Sequence, residues 1–507
     1  MERDRALFER SAGILLHVSS LPSSYGIGSL GEAARMWVDF LHEAGQSFWQ
    51  ILPLGPTIYG DSPYSSPSAF AGNPYFIDLD VLCEEGLLER SEYSDIKWCR
   101  SEKRVDYDLI GRHRGSVLRK AFARFKDESA LDGFVKQNPW AEDYGLYMAI
   151  TTTQKQSSWT EWDEPVRTRR SDAISVKRKE LEDDVRYHIF VQYQFRRQWD
   201  ALHDYADSKG VGIIGDIPIY VALDSADVWS SPALFQLDKD SIPTEVSGCP
   251  PDSFSADGQV WNTPLYDWET MAKTRYEWWI YRLKHSFELY DVLRIDHFRG
   301  LESYFAIPYG AKTAKGGRWK KGPDTDFIDA VKRALPDKRV IAEDLGYLTE
   351  DVRKLLTFSG YPSMKLLQFA FDSRVTDSDY RPFTYGSNSV VYPGVHDNDT
   401  LKGWTKTASR ASIQKAMEYI GIRRVDELPL AMIRLAMQCN SCLAVILMQD
   451  WLELGSDARF NTPSTVGGTN WRWRLDKNAL TENLAASISK ITSLYGRAPY
   501  EEGAEDA

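Results

Sequence analysis

The chain has 507 residues, of which 43% are hydrophobic, and this is enough to fill a large core. Its formal net charge of -12, without a long run of one sign, argues against a partner that is a nucleic acid or a membrane surface, so neutral partners fit better. No apolar stretch reaches the roughly 20 residues that span a bilayer, and the charged start Met1–Arg10 lacks the apolar core of a signal peptide, so we expect a cytoplasmic protein.

Short runs rich in β-branched residues recur along the chain, and several of them end in a polar or charged residue. In chain order these predicted strands are Gly13–Ser19, Phe48–Leu54, Gly212–Tyr220, Val292–Asp296, Arg339–Glu343, Met364–Phe369, Val390–Asp397 and Cys442–Asp450. Patterns with a period near 3.6 residues predict helices at Gly31–Ala44, Val185–Ser208, Tyr276–Tyr290, Thr325–Leu335, Thr349–Phe358 and Pro429–Met437. A capping box, Ser29 with Glu32, opens the first helix. Eight strands alternating with helices predict an α/β fold, a (β/α)8 TIM barrel with large insertions on its catalytic face.

Two connections are too long for simple barrel loops. Gly55–Asp184, after the second strand, contains helical patterns and is predicted to be an insertion subdomain, whereas Ala222–Arg275, after the third strand, is rich in proline and is predicted to be an irregular insertion loop. Because both follow strands, we expect them to form walls of a cleft on the catalytic face of a single domain that spans residues 1–507. The acidic tail Gly496–Ala507 is predicted to be disordered.

The five cysteines are too few and too scattered for a disulfide framework or a four-ligand zinc site. Cys439 and Cys442 form a C-x-x-C pair, but they lie where a helix leads into an apolar strand, which favours packing over redox chemistry. We therefore expect reduced thiols, no metal and no cofactor.

Four of the predicted strand ends deliver carboxylates, namely Asp216, Asp296, Glu343 and Asp397. A single carboxylate there is more often a helix N-cap, but four of them converge on one barrel mouth, where their mutual repulsion needs ligands or cations to relieve it. Retaining cleavage of a glycosidic bond uses such a set, with one ionised carboxylate and one protonated acid. The sequence thus predicts a glycosidase-like centre.

The neighbours of these residues suggest their roles. Arg294 precedes Asp296 by two positions, so both side chains can point inward, and its charge is expected to lower the pKa of Asp296, the predicted nucleophile. Glu343 ends the apolar run Val340-Ile341-Ala342, where burial is expected to raise its pKa toward that of a general acid. Asp344 and Asp399 are interpreted as outward-facing, capping or supporting groups.

Several blocks of the sequence resemble the 4-α-glucanotransferase family (amylomaltase, or disproportionating enzyme), a relative of the α-amylases. The blocks that carry the resemblance are Ser62-Pro63-Tyr64 with Ser68–Pro74, Gly215–Val221, Pro250–Asp252 through Trp261 to Pro264–Tyr266, Arg294–Gly300, Ala342–Gly346, His396–Asp399 and Asn470-Trp471. They span nearly the whole chain in order. The chain departs from the family pattern at Pro393–Val395, Ser253 and Asn262-Thr263, which bear on the loop's sugar contacts rather than on the carboxylates.

The resemblance implies transfer of an α-1,4-glucan segment with retention, with α-1,4-glucans and maltooligosaccharides as partners. It implies Asp296 as nucleophile, Glu343 as acid/base and Asp397 as a stabiliser of the transition state. The substrate-binding residues that it implies are Tyr64, Asp216, Trp261, Arg294, His396 and Asn470. Two alternatives remain open at this point: an α-amylase-type hydrolase, which releases its product to water, and a silent glucan-binding protein, which has no use for a proton donor.

Overall fold

A computed structural model of the protein describes residues 9–154, 158–251, 255–346, 348–374 and 380–499. Its strands are β1 Ser11–Leu15, β2 Phe48–Gln50, β3 Gly212–Ile217, β4 Glu245–Cys249, β5 Gln259–Pro264, β6 Val292–Ile295, β7 Ser303–Pro308, β8 Arg318–Lys321, β9 Arg339–Ala342, β10 Ser363–Leu366, β11 Ser389–Tyr392 and β12 Leu443–Leu447.

Eight of these strands form one closed barrel. Their order around it is β1-β12-β11-β10-β9-β6-β3-β2, and every neighbouring pair is parallel. Strands such as β1, β6 and β12 are buried along their whole length, because the barrel interior covers one face and the helices cover the other. The predicted (β/α)8 barrel is confirmed.

Helices surround the barrel and fill the first insertion. They are α1 Glu32–Glu43, α2 Leu79–Glu84, α3 Tyr107–Arg124, α4 Glu128–Gln137, α5 Trp140–Thr153, α6 Glu164–Arg167, α7 Ser171–Glu180, α8 Glu182–Ser208, α9 Ala226–Ser230, α10 Trp268–Lys273, α11 Glu277–Leu289, α12 Asp324–Ala334, α13 Glu350–Ser359, α14 Leu367–Phe371, α15 Leu401–Thr407, α16 Arg410–Ile420, α17 Leu428–Gln438, α18 Met448–Trp451 and α19 Glu482–Leu494. Across the described residues, none of these helices combines the length and the apolar character needed to cross a bilayer.

The start of α1 differs from the prediction. Its N-cap is Gly31, which has no side chain to cap the helix, and Ser29 instead donates a hydrogen bond of 2.6 Å to Asp78. The predicted capping box is therefore wrong, because Asp78 comes from a distant part of the chain and takes the hydroxyl that a local pattern assigns to the helix.

The two long connections adopt different structures. The first holds α2 to α7 and leads into the long helix α8, whereas the second, predicted to be irregular, contributes β4 and β5 to a four-stranded sheet of order β5-β4-β7-β8. The pairs of this sheet are antiparallel, and a small apolar cluster of Val246, Phe305 and Ile307 holds it together. The second connection could not be read as strands from its own sequence, because its partner strands follow β6.

The end of the described chain packs against the amino ends of the barrel strands. Arg497 is fully buried, and its guanidinium donates hydrogen bonds to backbone carbonyl oxygens of Ser11, Met437, Cys439, Ser441 and Cys442 at 2.8 to 3.2 Å. The prediction that disorder begins at Gly496 is wrong for this residue, since carbonyl groups from three elements fix it. Residues 500–507 of the predicted tail lie outside the described part of the chain.

Candidate active site

A buried arginine joins two of the predicted carboxylates at the carboxyl ends of neighbouring strands. Arg294, on β6, donates to Asp216 on β3 at 2.6 Å and to Asp296, which follows β6, at 3.0 Å. Its side chain is 4% exposed, that of Asp216 is fully buried, and that of Asp296 keeps 30% of its surface open. One fixed cation thus relieves the repulsion of two carboxylates and leaves only Asp296 accessible from the cleft.

The turn after Asp296 brings Glu343 to the same place. His297 adopts a left-handed conformation with φ of 54°, an uncommon one for a residue other than glycine. Its backbone N–H donates to Glu343 Oε2 at 2.7 Å, and the N–H of Leu345 donates to Oε1 at 2.8 Å. Both oxygens of Glu343 are therefore held by backbone donors, and its carboxyl group contacts the residue next to Asp296.

The pKa values of this pair shift upward. Burial raises the pKa of Asp296, Arg294 opposes the rise, and the carboxylates of Asp216, Glu343 and Asp397 add to it. The prediction that Arg294 leaves Asp296 with a lowered pKa is wrong in its net direction, because the effect of burial is the larger. Burial also raises the pKa of Glu343, as predicted, while Arg294 and the two backbone donors lower it. Burial thus shifts both carboxyl groups toward the protonated form, and Arg294 opposes the shift at each of them.

The third predicted acid lies at the end of β11 and is more open than the other two. The Asp397 side chain is 46% exposed, and its Oδ1 accepts a hydrogen bond of 2.6 Å from the amide of Asn461. His396 is buried, which lowers its pKa, and its Nε2 lies 3.5 Å from the same oxygen. A neutral imidazole and an amide therefore flank this carboxylate.

Aromatic rings line two sides of the site. Tyr64 donates to Asp216 at 2.6 Å, stacks on His396 with ring centroids 5.2 Å apart, and lies beside Trp471. Trp261, on β5, packs edge-on against His297 at 4.9 Å. Tyr64 thus contacts a carboxylate directly, whereas Trp261 contacts the residue that follows Asp296, and both rings offer surfaces on which a sugar can stack.

The polar atoms of Asn470 are engaged within its own loop rather than with the carboxylates. Its side chain accepts from the N–H of Thr462 and donates to the backbone and hydroxyl oxygens of Thr465, so its polar atoms hold its own loop. A contact between Asn470 and sugar stays a prediction. Ser253, another predicted point of departure, lies outside the described residues.

Two residues of the site are not predicted from the sequence. Asn461 and Arg459 follow β12 and contact Asp397, in a turn with no apolar period and no second motif beside it. Asp344 is buried rather than outward-facing and accepts from the N–H of Met364 at 2.7 Å, which makes it a supporting group.

Within the described part of the chain, no set of three His, Cys, Asp or Glu side chains is placed to hold a metal ion.

The site therefore combines an accessible carboxylate beside a fixed cation, a second carboxyl group with a raised pKa, and a third carboxylate open to the cleft. This set can carry out double displacement at an anomeric carbon, in which one group attacks and another transfers a proton.

The comparisons with known proteins agree with this chemistry. A family model described as 4-alpha-glucanotransferase matches residues 16–481. The chain is 46% identical to the 4-alpha-glucanotransferase of Clostridium butyricum over 487 residues, covering 95% of this chain and 100% of that protein. It is 45% identical to a 4-alpha-glucanotransferase of Streptococcus pneumoniae, covering 96% of this chain and 98% of that one.

The solved structures agree as well. The amylomaltase from Streptococcus agalactiae in complex with acarbose superimposes with a TM-score of 0.94 at 39% identity, covering 97% of this chain and 100% of that one. The amylomaltase from Corynebacterium glutamicum, at 18% identity and a TM-score of 0.76, covers 97% of this chain and 75% of that one and shares the fold. The chain belongs to the 4-alpha-glucanotransferase family.

Proposed function

We propose that this enzyme transfers a segment of an α-1,4-glucan to the 4-hydroxyl of an acceptor glucose or glucan, with retention, through a covalent glucosyl-enzyme. The observation that carries the proposal is the contact of Glu343 with the N–H of His297, directly after an Asp296 that is paired with Arg294. It brings a candidate proton donor at the end of β9 to the turn that carries a candidate nucleophile at the end of β6.

In the first step, a carboxylate oxygen of Asp296 attacks the anomeric carbon and the bond to the glycosidic oxygen breaks. Glu343 gives its proton to that oxygen, so the leaving glucan departs as a neutral alcohol. In this scheme the proton lies on Glu343 and the charge on Asp296, because Arg294 donates directly to Asp296 at 3.0 Å and stabilises its ionised form against the effect of burial. Burial raises the pKa of Glu343, which favours the protonated form that this step needs.

In the second step, the 4-hydroxyl of an acceptor attacks the anomeric carbon and displaces Asp296. Glu343, now ionised, takes the hydroxyl proton, and its two backbone donors stabilise the charge that it carries between the steps. Two inversions restore the original configuration. Asp397 and His396 bind hydroxyl groups of the reacting sugar and strengthen these bonds as charge develops on the ring.

The choice of a sugar over water requires a good acceptor surface. Water is abundant, so an enzyme that prefers a sugar must orient it, and positioning of this kind can be worth several kcal/mol. We assign this role to Trp261, which is half-buried and contacts His297 and Tyr220. Tyr64 forms a wall of the donor glucose, and the buried Asp216 and Arg294 support it from behind. The substrates are maltooligosaccharides and α-1,4-glucans, met in the cytoplasm.

Incubation with maltotriose alone tests the reaction. Transfer gives glucose and a ladder of longer maltooligosaccharides, while the total number of reducing ends stays nearly constant. A steady rise in reducing ends would instead support the α-amylase-type hydrolase, and no turnover would support the silent binding protein. With Trp261→Ala we expect a larger hydrolytic share; an unchanged share with lower stability would make Trp261 a packing residue.

A further inference from the structure

The carboxylate of Asp397 has one engaged and one open oxygen. Asn461 donates to Oδ1 at 2.6 Å, and among the described residues no donor lies within hydrogen-bond distance of Oδ2. The side chain is 46% exposed, so packing constrains its rotation less than it does for a buried residue. The hydrogen bond from Asn461 is therefore the contact that decides where Oδ2 points.

The backbone of Asn461 is tied to the segment that it serves. Its N–H donates to the carbonyl of His396 at 3.1 Å. Arg459 donates from Nη2 to the carbonyl of Asp397 at 2.5 Å and from Nε to the carbonyl of Asn461 at 2.6 Å. These bonds connect the loop after β12 with the segment that follows β11. The backbone of Asn461 is therefore fixed relative to Asp397, and its side-chain amide has a defined position.

His396 does not duplicate this contact. Its Nε2 is 3.5 Å from Oδ1, longer than an ordinary hydrogen bond, and burial lowers its pKa so that the ring is neutral. The ring is also held by its stacking on Tyr64 and by Trp471. Among the described residues, Asn461 is thus the close donor to the Asp397 carboxylate.

We propose that Asn461 is a positioning residue for glucan transfer, which holds Oδ1 of Asp397 and thereby aims Oδ2 at the hydroxyl groups of the reacting sugar. The proposal rests on the transition-state role proposed above for Asp397. A carboxylate that is already oriented loses no rotational freedom when the transition state forms, so the benefit appears in kcat more than in KM.

Asn461→Ala removes the donor and leaves the backbone contacts in place. We expect kcat on maltotriose to fall by about 10- to 100-fold, the range in which a misplaced group costs activity, with KM changed by less than about threefold. The matched control is Asn388→Ala, which removes an asparagine amide that donates at 3.1 Å to Gly360 before the other end of β11. This control should keep the activity of the unchanged enzyme.

A double-mutant cycle with Asp397→Asn separates positioning from a general effect on the fold. An α-maltosyl fluoride donor keeps slow rates measurable, because fluoride leaves without protonation. If Asn461 acts through Asp397, the loss caused by Asn461→Ala shrinks to less than about twofold in the Asp397→Asn background.

Two outcomes would overturn the proposal: Asn461→Ala with near-normal kcat, or an Asn461→Ala loss that is equally large with and without the Asp397 carboxylate. Near-normal activity of Asp397→Asn itself would instead refute the role proposed for Asp397. The two failures are therefore distinguishable within one set of four proteins.

Discussion

Arginines are buried at both ends of the barrel, but they are balanced in different ways. At the catalytic end, burial lowers the pKa of Arg294, but the carboxylates of Asp216 and Asp296 outweigh this and raise it well above its usual value. At the opposite end, burial lowers the pKa of Arg497, whose hydrogen bonds all go to neutral carbonyl groups. The first arrangement stabilises the ionised form of an accessible carboxylate, and the second holds the end of the described chain against the barrel.

Both arginines satisfy the same requirement, because a buried cation needs nearby acceptors. The carbonyls around Arg497 come from the start of β1, the end of α17 and the segment that leads into β12, so this residue joins the first and last strands of the barrel where they pair. Arg294 joins two functional side chains across β3 and β6. Substitutions at the two positions should therefore affect different properties.

The largest effect is expected for Arg294→Met. It leaves the carboxylates of Asp216 and Asp296 without a cation, so the pKa of Asp296 rises further and less of the attacking carboxylate is present. We expect kcat on maltotriose to fall by about a thousandfold or more, equivalent to about 4 kcal/mol of barrier. Arg294→Lys, which keeps the charge but not the two-pronged geometry, should retain more activity than Arg294→Met. Retention of a tenth of the normal kcat by Arg294→Met would contradict this account.

A loss of stability with normal chemistry is expected for Arg497→Met. Five carbonyl groups lose a donor, and we expect the free energy of unfolding to fall by about 2 to 4 kcal/mol while kcat at 25 °C stays within about twofold. Chemical denaturation and maltotriose kinetics on the same preparation measure both quantities. Arg410→Met, at an exposed arginine, is the matched control. A fall in kcat without a loss of stability would contradict the division of catalytic and structural roles between the two ends of the barrel.

The smallest effect concerns Asp450, a buried carboxyl group with no cation beside it among the described residues. Its Oδ1 accepts from the N–H of Leu401 at 2.7 Å, its Oδ2 has no partner there, and burial raises its pKa to about 7. An unfolded Asp loses its proton near pH 4 (about 3.9), whereas the folded protein keeps the proton until about pH 7. This group therefore weakens folding progressively as pH rises between these values.

Asp450→Asn removes this titration. We expect the variant to match the unchanged protein in thermal midpoint at pH 4 and to be more stable at pH 8. The expected gain is about 1 to 2 kcal/mol, below the upper limit of about 4 kcal/mol that three pKa units of about 1.4 kcal/mol each would set. Thermal unfolding at the two pH values checks this. The same difference at both pH values would contradict the assignment of a retained proton to Asp450.

The sequence was sufficient for those features that depend on local pattern. Apolar runs that alternate with periodic helices predicted the barrel, and carboxylates at run ends predicted its catalytic face, because parallel strands bring their ends together wherever the intervening chain goes. The pairing of Arg294 with Asp296 also follows from spacing alone, since residues two apart share a face of a strand.

Features that depend on distant partners were missed. The four-stranded sheet depends on the pairing of β4 with β7, which lies more than fifty residues away. Ser29 donates its hydrogen bond to Asp78 instead of capping the helix. Arg497 follows helix α19 in a stretch whose composition predicts disorder, yet its acceptors lie in other elements. The upward pKa shift of Asp296 was missed for the same reason: the adjacent cation is visible in the sequence, and the depth of burial is not.

The most direct test of the account is to identify the residue that carries the glucosyl group. A fluorinated α-maltosyl fluoride, whose ring fluorine slows the second step, should allow the covalent intermediate to accumulate in the otherwise unchanged enzyme. After proteolysis, mass spectrometry should find the sugar on the peptide that contains Asp296, and Asp296→Asn should abolish the label. A label on Glu343 or Asp397, or fluoride release without any labelled peptide, would contradict the central claim.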